Sequence, residues 1–307
     1  MRTLAPIILF VFNRPEHTRK TLLSLKGNEL AKDSLLIIYV DGLKFNSTEE
    51  QKERNEAVKK VIREEVWCKE VVIIESENNK GLAKSIVDGV TENVRKYGKV
   101  IVLEDDLITD RFFLKFMNDG LDMYEFEDSV ACISGYIYPV KNILPNTFFI
   151  KGADCWGWAT WERSWDLYDD NGSRLLEQLE DKKLSFDFNF FNSYPYIDML
   201  KDQIDKKNNS WAILWYASAY LRNKLTLYPG KSLIQNIGID GSGIHSGESN
   251  LFDVEILNQE VILEKIPVLE NVSAKKNISE YFHVIFKVNK VTFLKRIYSK
   301  LISKFIS

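Results

Sequence analysis

Several residue types are too scarce in this chain to support whole classes of protein. Its 307 residues contain three cysteines at unrelated spacings and three histidines without an H-E-x-x-H pattern, which disfavours disulfide-stabilised miniproteins and zinc sites. Seven prolines and 15 glycines exclude collagen and low-complexity disorder. No stretch approaches the ~18 apolar residues of a membrane-spanning helix. A globular chain long enough to bury one large core remains.

Three sequence motifs of well-known enzyme classes are also missing. No G-x-G-x-x-G follows the first apolar run and no G-x-x-x-x-G-K-[ST] occurs, so NAD-type dehydrogenases and P-loop NTPases are disfavoured. The absence of G-x-S-x-G disfavours α/β-hydrolases. The apolar residues 4–12 are followed by Asn13-Arg14-Pro15 instead of a small-residue cleavage site, so we expect no signal peptide and a cytoplasmic location.

Short apolar runs alternate with helix-like stretches through the first 135 residues. The runs are continuously apolar, which indicates an α/β fold whose sheet is mostly parallel, doubly wound and covered by helices on both faces. Ligands of such sheets bind at the carboxyl ends of the strands. The predicted strands are Pro6–Phe12, Leu35–Val40, Val71–Glu75, Val100–Leu103 and Val130–Ser134, and the predicted helices are Pro15–Leu25, Thr48–Glu65, Ala83–Tyr97 and Arg111–Phe126.

Polar residues follow the first three apolar runs, where a ligand is expected. Arg14 comes after the first run, and Asn13 is a candidate cap for the next helix, whose free N–H groups suit an anion. Asp41 follows the second run. Gly81 and Lys84 follow the third run, where glycine permits close backbone approach and lysine suits a negatively charged substrate. An ordinary helix start and a solvated loop are the alternatives.

Three consecutive carboxylates, Glu104, Asp105 and Asp106, follow the fourth apolar run. Because like charges repel each other, a cation or a set of hydrogen-bond donors is expected beside them. Alternate side chains of a strand point in opposite directions, so Glu104 and Asp106 are expected to share a direction. Mg²⁺ and Mn²⁺ prefer such oxygen ligands. The triplet therefore predicts a divalent-metal site, with a solvated acidic turn as the alternative.

Together and in this order, the motifs resemble those of the GT-A glycosyltransferases, especially family 2 bacterial sugar transferases and, more distantly, N-acetylglucosaminyltransferase I. The resemblance covers residues 4–250 and implies a GT-A fold. It implies a nucleotide-sugar-binding half over residues 1–135, an acceptor-side half over 136–270 and a helical tail over 271–307. The matching segments are FNRP at 12–15, Asp41, NKGLA at 79–83, VLEDDL at 102–107 and CWGW at 155–158.

The resemblance also implies roles for individual residues. Asp106 would hold Mn²⁺ or Mg²⁺ on the donor diphosphate, with Glu104 and Asp105 near the ribose and the waters of the metal. Asp41 would accept a hydrogen bond from a uracil N–H, and Arg14 would lie near the diphosphate. The implied reaction moves a sugar from a UDP-sugar to a glycan or lipid-linked glycan with inversion. The donor site would be completed by Asn13, Gly81 and Lys84.

Tryptophan is concentrated in the second half of the chain, where six of the seven lie between residues 156 and 215. Indole rings offer flat apolar faces and an N–H donor, which suit sugars. Trp156, Trp158 and Trp161 are therefore predicted to bind the acceptor, with burial in the hydrophobic core as the alternative.

An inverting transferase also needs a general base within hydrogen-bond reach of the acceptor hydroxyl. The WGW segment resembles the W-G-W-G-G-E-D of galactosyltransferases, which assigns this role to Glu162. Asp240 and Asp154 are the other candidates. His245 lies in the glycine-containing loop 236–247, which GT-A enzymes often close over the donor. This histidine is predicted to reach the metal or the diphosphate, with plain exposure to solvent as the alternative.

The charge of the chain is unevenly distributed. Residues 286–307 carry six lysines and arginines and no acid, so the net charge of −3 leaves −9 on the remainder, which argues against nucleic-acid binding. Apolar residues recur in this tail at spacings of three and four. The pattern predicts a basic amphipathic helix on the inner face of an anionic membrane, or a helix packed on the body.

Two other functions remain open from the sequence. A sugar nucleotidyltransferase would use a similar sheet, but FNRPEH at 12–17 replaces the Gly-rich, Lys-containing loop expected after its first strand. A non-catalytic carbohydrate-binding protein would explain the tryptophans but would leave the acidic triplet without a purpose.

Overall fold

The computed structural model describes residues 3–240, 250–256 and 258–286. Strands and helices alternate through the first half, and helices predominate in the second. The first half contains β1 (Ile7–Val11), α1 (Pro15–Lys26), β2 (Leu35–Val40), α2 (Glu49–Val61), β3 (Glu70–Glu75), α3 (Leu82–Tyr97), β4 (Lys99–Glu104), β5 (Leu107–Thr109), α4 (Phe113–Met123) and β6 (Val130–Ser134). The second half contains β7 (Thr147–Lys151), β8 (Trp158–Trp161), α5 (Glu162–Trp165), α6 (Gly172–Asp181), α7 (Ser185–Phe188), α8 (Tyr196–Ile204), α9 (Trp211–Leu221), β9 (Leu225–Pro229), β10 (Ile234–Asn236) and a helix over 272–286, here α10.

The central sheet has eight strands in the order β3-β2-β1-β4-β8-β6-β9-β7. Strands β1 to β4 are mutually parallel where they pair. Strand β8 is antiparallel to both β4 and β6, and β9 is parallel to β6, so β4, β6 and β9 end at the same edge of the sheet. Strand β7 is antiparallel to β9. The predicted α/β fold with a mostly parallel sheet is confirmed.

Both faces of the sheet are covered, which explains why the strands are continuously apolar. In β1, Ile7 and Leu9 pack into the core beneath α1, α2 and α4, whereas Ile8 and Phe10 pack into the core beneath α3. A third core joins α6, α8, α9 and α10 on the second half. The inner strands therefore present two buried faces and have no polar alternation, whereas the edge strand β3 is partly exposed.

The predicted strands agree with the structure to within one residue at each end, but two helices are shorter than predicted. Helix α2 starts after a capping box between Thr48 and Gln51 and ends at Val61. The chain turns there because the Trp67 indole N–H donates to the Ile62 carbonyl. Helix α4 spans Phe113–Met123 only.

None of the helices within residues 3–240, 250–256 and 258–286 is long and apolar enough to cross a membrane. Residues 287–307, which carry nearly all of the predicted basic amphipathic helix, lie outside the described residues.

Candidate functional site

An acidic turn lies at the carboxyl end of β4, as the sequence predicts. Glu104 is the last residue of β4, and Asp105 and Asp106 form the turn into β5. Arg14, the N-cap residue of α1, donates to Asp105 Oδ1 and, at 2.9 Å, to Asp106 Oδ2. Parallel pairing of β1 with β4 brings the arginine to this turn. The cation expected beside the triplet is thus supplied by the chain itself.

The site retains excess negative charge, since one guanidinium faces three carboxyl groups. Burial and the charges of Asp106 and Asp105 raise the pKa of Glu104. Burial also raises the pKa of Asp105, although Arg14 opposes that shift. For Arg14, burial lowers the pKa, but the two aspartates outweigh it and raise the pKa above its ordinary value. A further cation would therefore be stabilised at this turn.

The donor set suits a divalent ion shared with a phosphate ligand. Within the described residues, no group of three His, Cys, Asp or Glu side chains is arranged to hold a metal. Mg²⁺ sites commonly use only one or two carboxylates together with substrate phosphates, and Asp106 is partly exposed at the turn. The predicted common direction of Glu104 and Asp106 rests on strand alternation, which stops at Glu104 because the next two residues form a turn.

Asp41 holds the segment that precedes α3. Its Oδ1 accepts from the main-chain N–H groups of Gly42 and Lys80, at 2.9 and 2.8 Å. Its Oδ2 accepts from the Asn79 side-chain amide and the Gly81 N–H, both at 2.9 Å. These bonds use about four acceptor positions, the full capacity of a carboxylate. The predicted contact with a uracil N–H stays a prediction.

A cavity of about 240 Å³ lies beside Asp41, at the carboxyl ends of β2 and β3. Asn55, Lys59 and Glu75 are among its lining residues. The Asn55 amide donates to the carbonyl oxygens of Phe12 and Asp41, which fixes its orientation. Its buried Oδ1 then has no hydrogen-bond partner among the residues that the structure describes. A donor group of a ligand would satisfy this oxygen.

The amino end of α3 faces the same edge of the sheet. Gly81 is its N-cap residue, with φ at +78°, and no described side chain caps it. In the first turn, the buried Ser85 Oγ lacks a hydrogen-bond partner within the described part of the chain. Lys84 is exposed and pairs with Asp88 at 3.0 Å. Helix N–H groups and the Ser85 hydroxyl together offer donors to an anion.

The segment after β10 packs against the acidic turn. The Ile237 N–H donates to the Asp106 carbonyl at 2.8 Å. Gly238 lies so close that a Cβ added there would overlap the Asp106 carboxylate. Asp240 Oδ2 lies 3.1 Å from Nε2 of His17, a residue in the first turn of α1 that sequence reasoning did not single out. His245 lies outside the described residues.

Asn13 is partly buried in the turn before α1. The prediction that it caps this helix is wrong, because Arg14 is the N-cap residue and its side chain forms no cap among the described residues.

The structure contradicts the prediction that Glu162 is the catalytic base. Strand β8 runs antiparallel to β4 and pairs Trp161 with Lys99, the first residue of β4. The Glu162 N–H donates to the Gly98 carbonyl at 2.9 Å. At about 3.3 Å per residue, the length of β4 separates this end from Glu104 by about 16 Å. Glu162 therefore lies at the opposite edge of the sheet from the acidic turn.

Two of the three tryptophans predicted to bind the acceptor belong to the core. Trp158 is buried and packs against the rings of Trp165, Trp211 and Trp215. Trp161 is buried on the other face, and its indole N–H donates to the Leu121 carbonyl. Neither ring can reach a sugar, because Trp158 and Trp161 point to opposite faces of β8 and both faces are buried in a core.

Trp156 precedes β8 and remains partly exposed. It packs edge-on against Tyr136, with 4.7 Å between ring centroids. Its predicted role in acceptor binding stays a prediction.

Beside Trp156 lies a group of tyrosines that sequence reasoning missed. Burial raises the pKa of each of them and the charge of Asp154 raises it further, and the Tyr228 hydroxyl donates to Asp154 Oδ2 at 3.1 Å. The Y-x-Y pairs at 136–138 and 194–196 were the available sequence signal. We call this group the tyrosine cluster; it consists of Tyr136, Tyr138, Tyr194, Tyr196 and Tyr228.

Comparisons with known proteins give only distant structural likenesses. No model of a known protein family matches the sequence, and no curated protein is significantly similar to it. The mannosyltransferase PcManGT from Pyrobaculum calidifontis, in complex with GDP-Man and Mn²⁺, is 14% identical with a TM-score of 0.33, over 45% of this chain and 36% of that one. S. aureus TarS 1–349 is 12% identical with a TM-score of 0.40, over 76% and 60%.

A UDP-glucose pyrophosphorylase complexed with UDP-glucose is 13% identical with a TM-score of 0.36, over 74% of this chain and 90% of that one. The chain thus spans less than two thirds of PcManGT and of the TarS fragment. All three TM-scores lie below 0.5, so the site is interpreted from the residues of this chain alone.

Proposed function

We propose that this protein is a glycosyltransferase that takes a sugar from a nucleotide-sugar donor and attaches it to a hydroxyl group of a glycan or lipid-linked glycan. One observation carries the proposal. The acidic turn at Glu104, Asp105 and Asp106 is held by Arg14 and keeps unbalanced negative charge at the carboxyl edge of the sheet. That arrangement suits a divalent cation together with a diphosphate, and the ordered sequence motifs resemble those of GT-A enzymes.

The groups around the turn can bind a diphosphate. Arg14 supplies a fixed positive charge, and the uncapped first turn of α3 supplies main-chain N–H groups together with the Ser85 hydroxyl. Asp106 would hold Mn²⁺ or Mg²⁺, which neutralises the charge that develops on the departing nucleotide diphosphate. His17 lies close enough to influence Asp105, and Lys84 adds a positive charge in the first turn of α3.

The nucleobase is proposed to lie near Asp41, with a uracil N–H as the expected donor. The unpaired Asn55 Oδ1 beside Asp41 supports a base that carries a hydrogen-bond donor. Because Asp41 already holds residues 79–81, it fixes the segment that leads into α3 beside the proposed base site.

Calorimetric titration of UDP and GDP, with Mn²⁺ and with EDTA, tests the proposal. We expect Mn²⁺-dependent binding of at least one diphosphate, lost in Asp106→Asn. The control Asp33→Asn changes an exposed carboxylate at the amino end of β2 and should bind as the wild type does. Absence of binding by either diphosphate under both conditions would overturn the proposal.

A second assay separates transfer from nucleotidyl chemistry. Incubation with UTP and glucose 1-phosphate releases pyrophosphate if the protein is a sugar nucleotidyltransferase. Incubation with a nucleotide sugar releases the nucleoside diphosphate if it is a glycosyltransferase. We expect only the second product.

A further inference from the structure

We infer that the acceptor sugar binds in the tyrosine cluster and that Asp154 removes the proton from its attacking hydroxyl group. This inference rests on the proposed function and assigns the second substrate of the same site. It places acceptor chemistry on residues different from Glu162, Asp240 and the two buried tryptophans.

Asp154 is brought to the acidic turn by the segment that leads into β8. The first residue of β8, Trp158, pairs with Val102 of β4 and with Ser134 of β6, so the residues just before it lie at the carboxyl end of β4. Glu104 and Val102 are two residues apart in β4, so both point to the same face of the sheet. That face packs on the core beneath α3, against which Cys155 also packs. Asp154 therefore lies at the same carboxyl edge of the sheet as Glu104, where its carboxylate contacts Tyr228 of β9.

Cys155 directly follows Asp154 and packs against the core beneath α3. Burial is the main cause that raises the pKa of its thiol, and the charges of Asp154, Glu104 and Asp106 raise it further. The thiol thus experiences the charges of the acidic turn as well as that of its neighbour Asp154. A sugar attached to a diphosphate at the turn would lie at the same edge of the sheet as Asp154.

The carboxylate of Asp154 is held in place but not saturated. Its Oδ1 accepts from the Cys155 N–H at 2.6 Å, and its Oδ2 accepts from the Tyr228 hydroxyl at 3.1 Å. The Trp156 N–H is a third donor. About one acceptor position remains for a hydroxyl group. In contrast to Asp154, the other candidate base Asp240 has its carboxylate engaged with His17, at 3.1 Å.

Burial raises the pKa of Asp154, and no cation of the described part of the chain is among the groups that shift it. A carboxylate without a paired cation keeps its affinity for a proton, which a general base needs. Asp154 therefore has both the position and the proton affinity for this step.

The rings beside Asp154 form a continuous aromatic surface. Tyr136 contacts Tyr138, and Tyr138 contacts Phe282 of α10, with ring centroids 5.3 and 4.7 Å apart. Phe282 contacts Tyr194, which stacks on Tyr196, at 4.8 and 4.3 Å. Tyr138, Tyr194 and Tyr196 remain partly exposed. Exposed ring faces and hydroxyl groups suit the apolar faces and the hydroxyl groups of a sugar.

The charge around Asp154 favours an uncharged acceptor sugar. Within residues 3–240, 250–256 and 258–286, no cation is found among the groups that influence Asp154, and its carboxylate accepts from the Tyr228 hydroxyl. An acceptor with a carboxylate or phosphate beside the reacting hydroxyl would meet an unshielded negative charge. A neutral hexose or N-acetylhexosamine would not.

The proposed step balances its atoms. The acceptor oxygen forms a bond to the anomeric carbon of the donor while the bond from that carbon to the diphosphate oxygen breaks. The hydroxyl proton passes to the Asp154 carboxylate, and the electron pair of the broken bond leaves with the nucleoside diphosphate.

The first test compares wild type, Asp154→Asn and the control Asp170→Asn, which changes an exposed carboxylate. The measured quantity is the release of nucleoside diphosphate. The donors are UDP-N-acetylglucosamine, UDP-glucose, UDP-galactose and GDP-mannose, and each is tested with a panel of p-nitrophenyl glycosides and with water as acceptor. We expect Asp154→Asn to lower the rate by about 10²–10⁴. In calorimetry, Asp154→Asn should bind the nucleoside diphosphate as tightly as the wild type does.

Retained turnover in Asp154→Asn would overturn the role of Asp154. A wild-type protein that binds no nucleoside diphosphate would instead overturn the proposed function, so the two failures are distinguishable.

The second test measures sugar binding without a donor. Saturation-transfer NMR with neutral p-nitrophenyl glycosides is expected to show binding to the wild type that Tyr194→Ala weakens by up to about tenfold. The control Tyr168→Ala removes a ring that stacks on Trp165 instead and should leave binding unchanged. If no neutral glycoside binds, or if both variants lose it equally, the acceptor assignment is overturned.

Discussion

The hydroxyl group of Tyr228 donates a hydrogen bond to Asp154 Oδ2 across 3.1 Å. The bond joins β9 to the segment before β8, two parts of the chain that are far apart in sequence. Burial raises the pKa of Asp154, and this hydrogen bond opposes the shift because it stabilises the charged carboxylate. The tyrosine therefore acts with the Cys155 N–H to lower the pKa at which Asp154 accepts a proton.

Tyr228→Phe should move the acid limb of the pH–rate profile to higher pH. A general base acts when deprotonated, so activity falls as the pH drops below its pKa. Loss of the hydroxyl removes a group that lowers the pKa of Asp154, so the loss of activity begins at a higher pH. The measurement is kcat/KM against pH, with Tyr168→Phe as control. An unshifted limb would contradict the prediction.

Glu104→Gln should stabilise the metal-free protein at alkaline pH. Burial and the neighbouring aspartates raise the folded-state pKa of Glu104, so the folded state holds this proton more tightly than the unfolded state does. The free energy of unfolding therefore falls as the pH rises through the raised pKa. Urea unfolding in EDTA at about pH 5 and about pH 9 checks this, since an unperturbed Glu titrates near ~4.3.

In that comparison the variant should lose less stability than the wild type between the two pH values. Glu162→Gln is the matched control, because Glu162 is exposed at the other edge of the sheet. An equal pH dependence in Glu104→Gln and wild type would show that Glu104 is not responsible.

Trp158→Ala should destabilise the fold much more than Trp156→Ala. Trp158 is buried among three other indole rings, and truncation of such a residue costs about 3–5 kcal/mol of unfolding free energy. Trp156 is partly exposed and leaves a smaller cavity. Denaturant unfolding gives both values. Similar losses, or a Trp158 variant of wild-type stability, would contradict the assignment of Trp158 to the core.

Gly238→Ala should weaken binding of nucleoside diphosphates and Mn²⁺. The added methyl group would overlap the Asp106 carboxylate and come within 3.0 Å of Arg14 Nη1. Either the loop after β10 or the pair of Arg14 and Asp106 must then move. Calorimetry with UDP or GDP measures the effect. Gly98→Ala is the control for a general loss of stability. Its added Cβ meets no atom within 4 Å, but its φ of +77° strains the backbone.

The acidic turn was predictable because its chemistry is local. Three carboxylates directly after a buried strand require a counter-charge, and the parallel pairing of β1 with β4 supplies it through Arg14. Glu162 was wrongly predicted for the opposite reason. The spacing of a motif does not show in which direction its strand runs. Because β8 is antiparallel to β4, Glu162 at the end of β8 lies far from the acidic turn.

The tryptophans illustrate the same limit. A run of aromatic residues predicts aromatic surface, but the alternation of β8 directs Trp158 and Trp161 into two buried cores. Tyrosines from three separate segments form the partly exposed aromatic group instead, and only long-range packing brings them together.

The α/β class and the strand ends were determined by the sequence alone, because continuous apolar runs, turn residues and a triplet of like charges act over a few neighbouring positions. The tertiary structure alone decided which carboxylate meets which aromatic rings. Asp154, the tyrosine pair at 194–196 and Tyr228 are brought together across 40 to 74 residues of chain, and no local periodicity encodes such proximity.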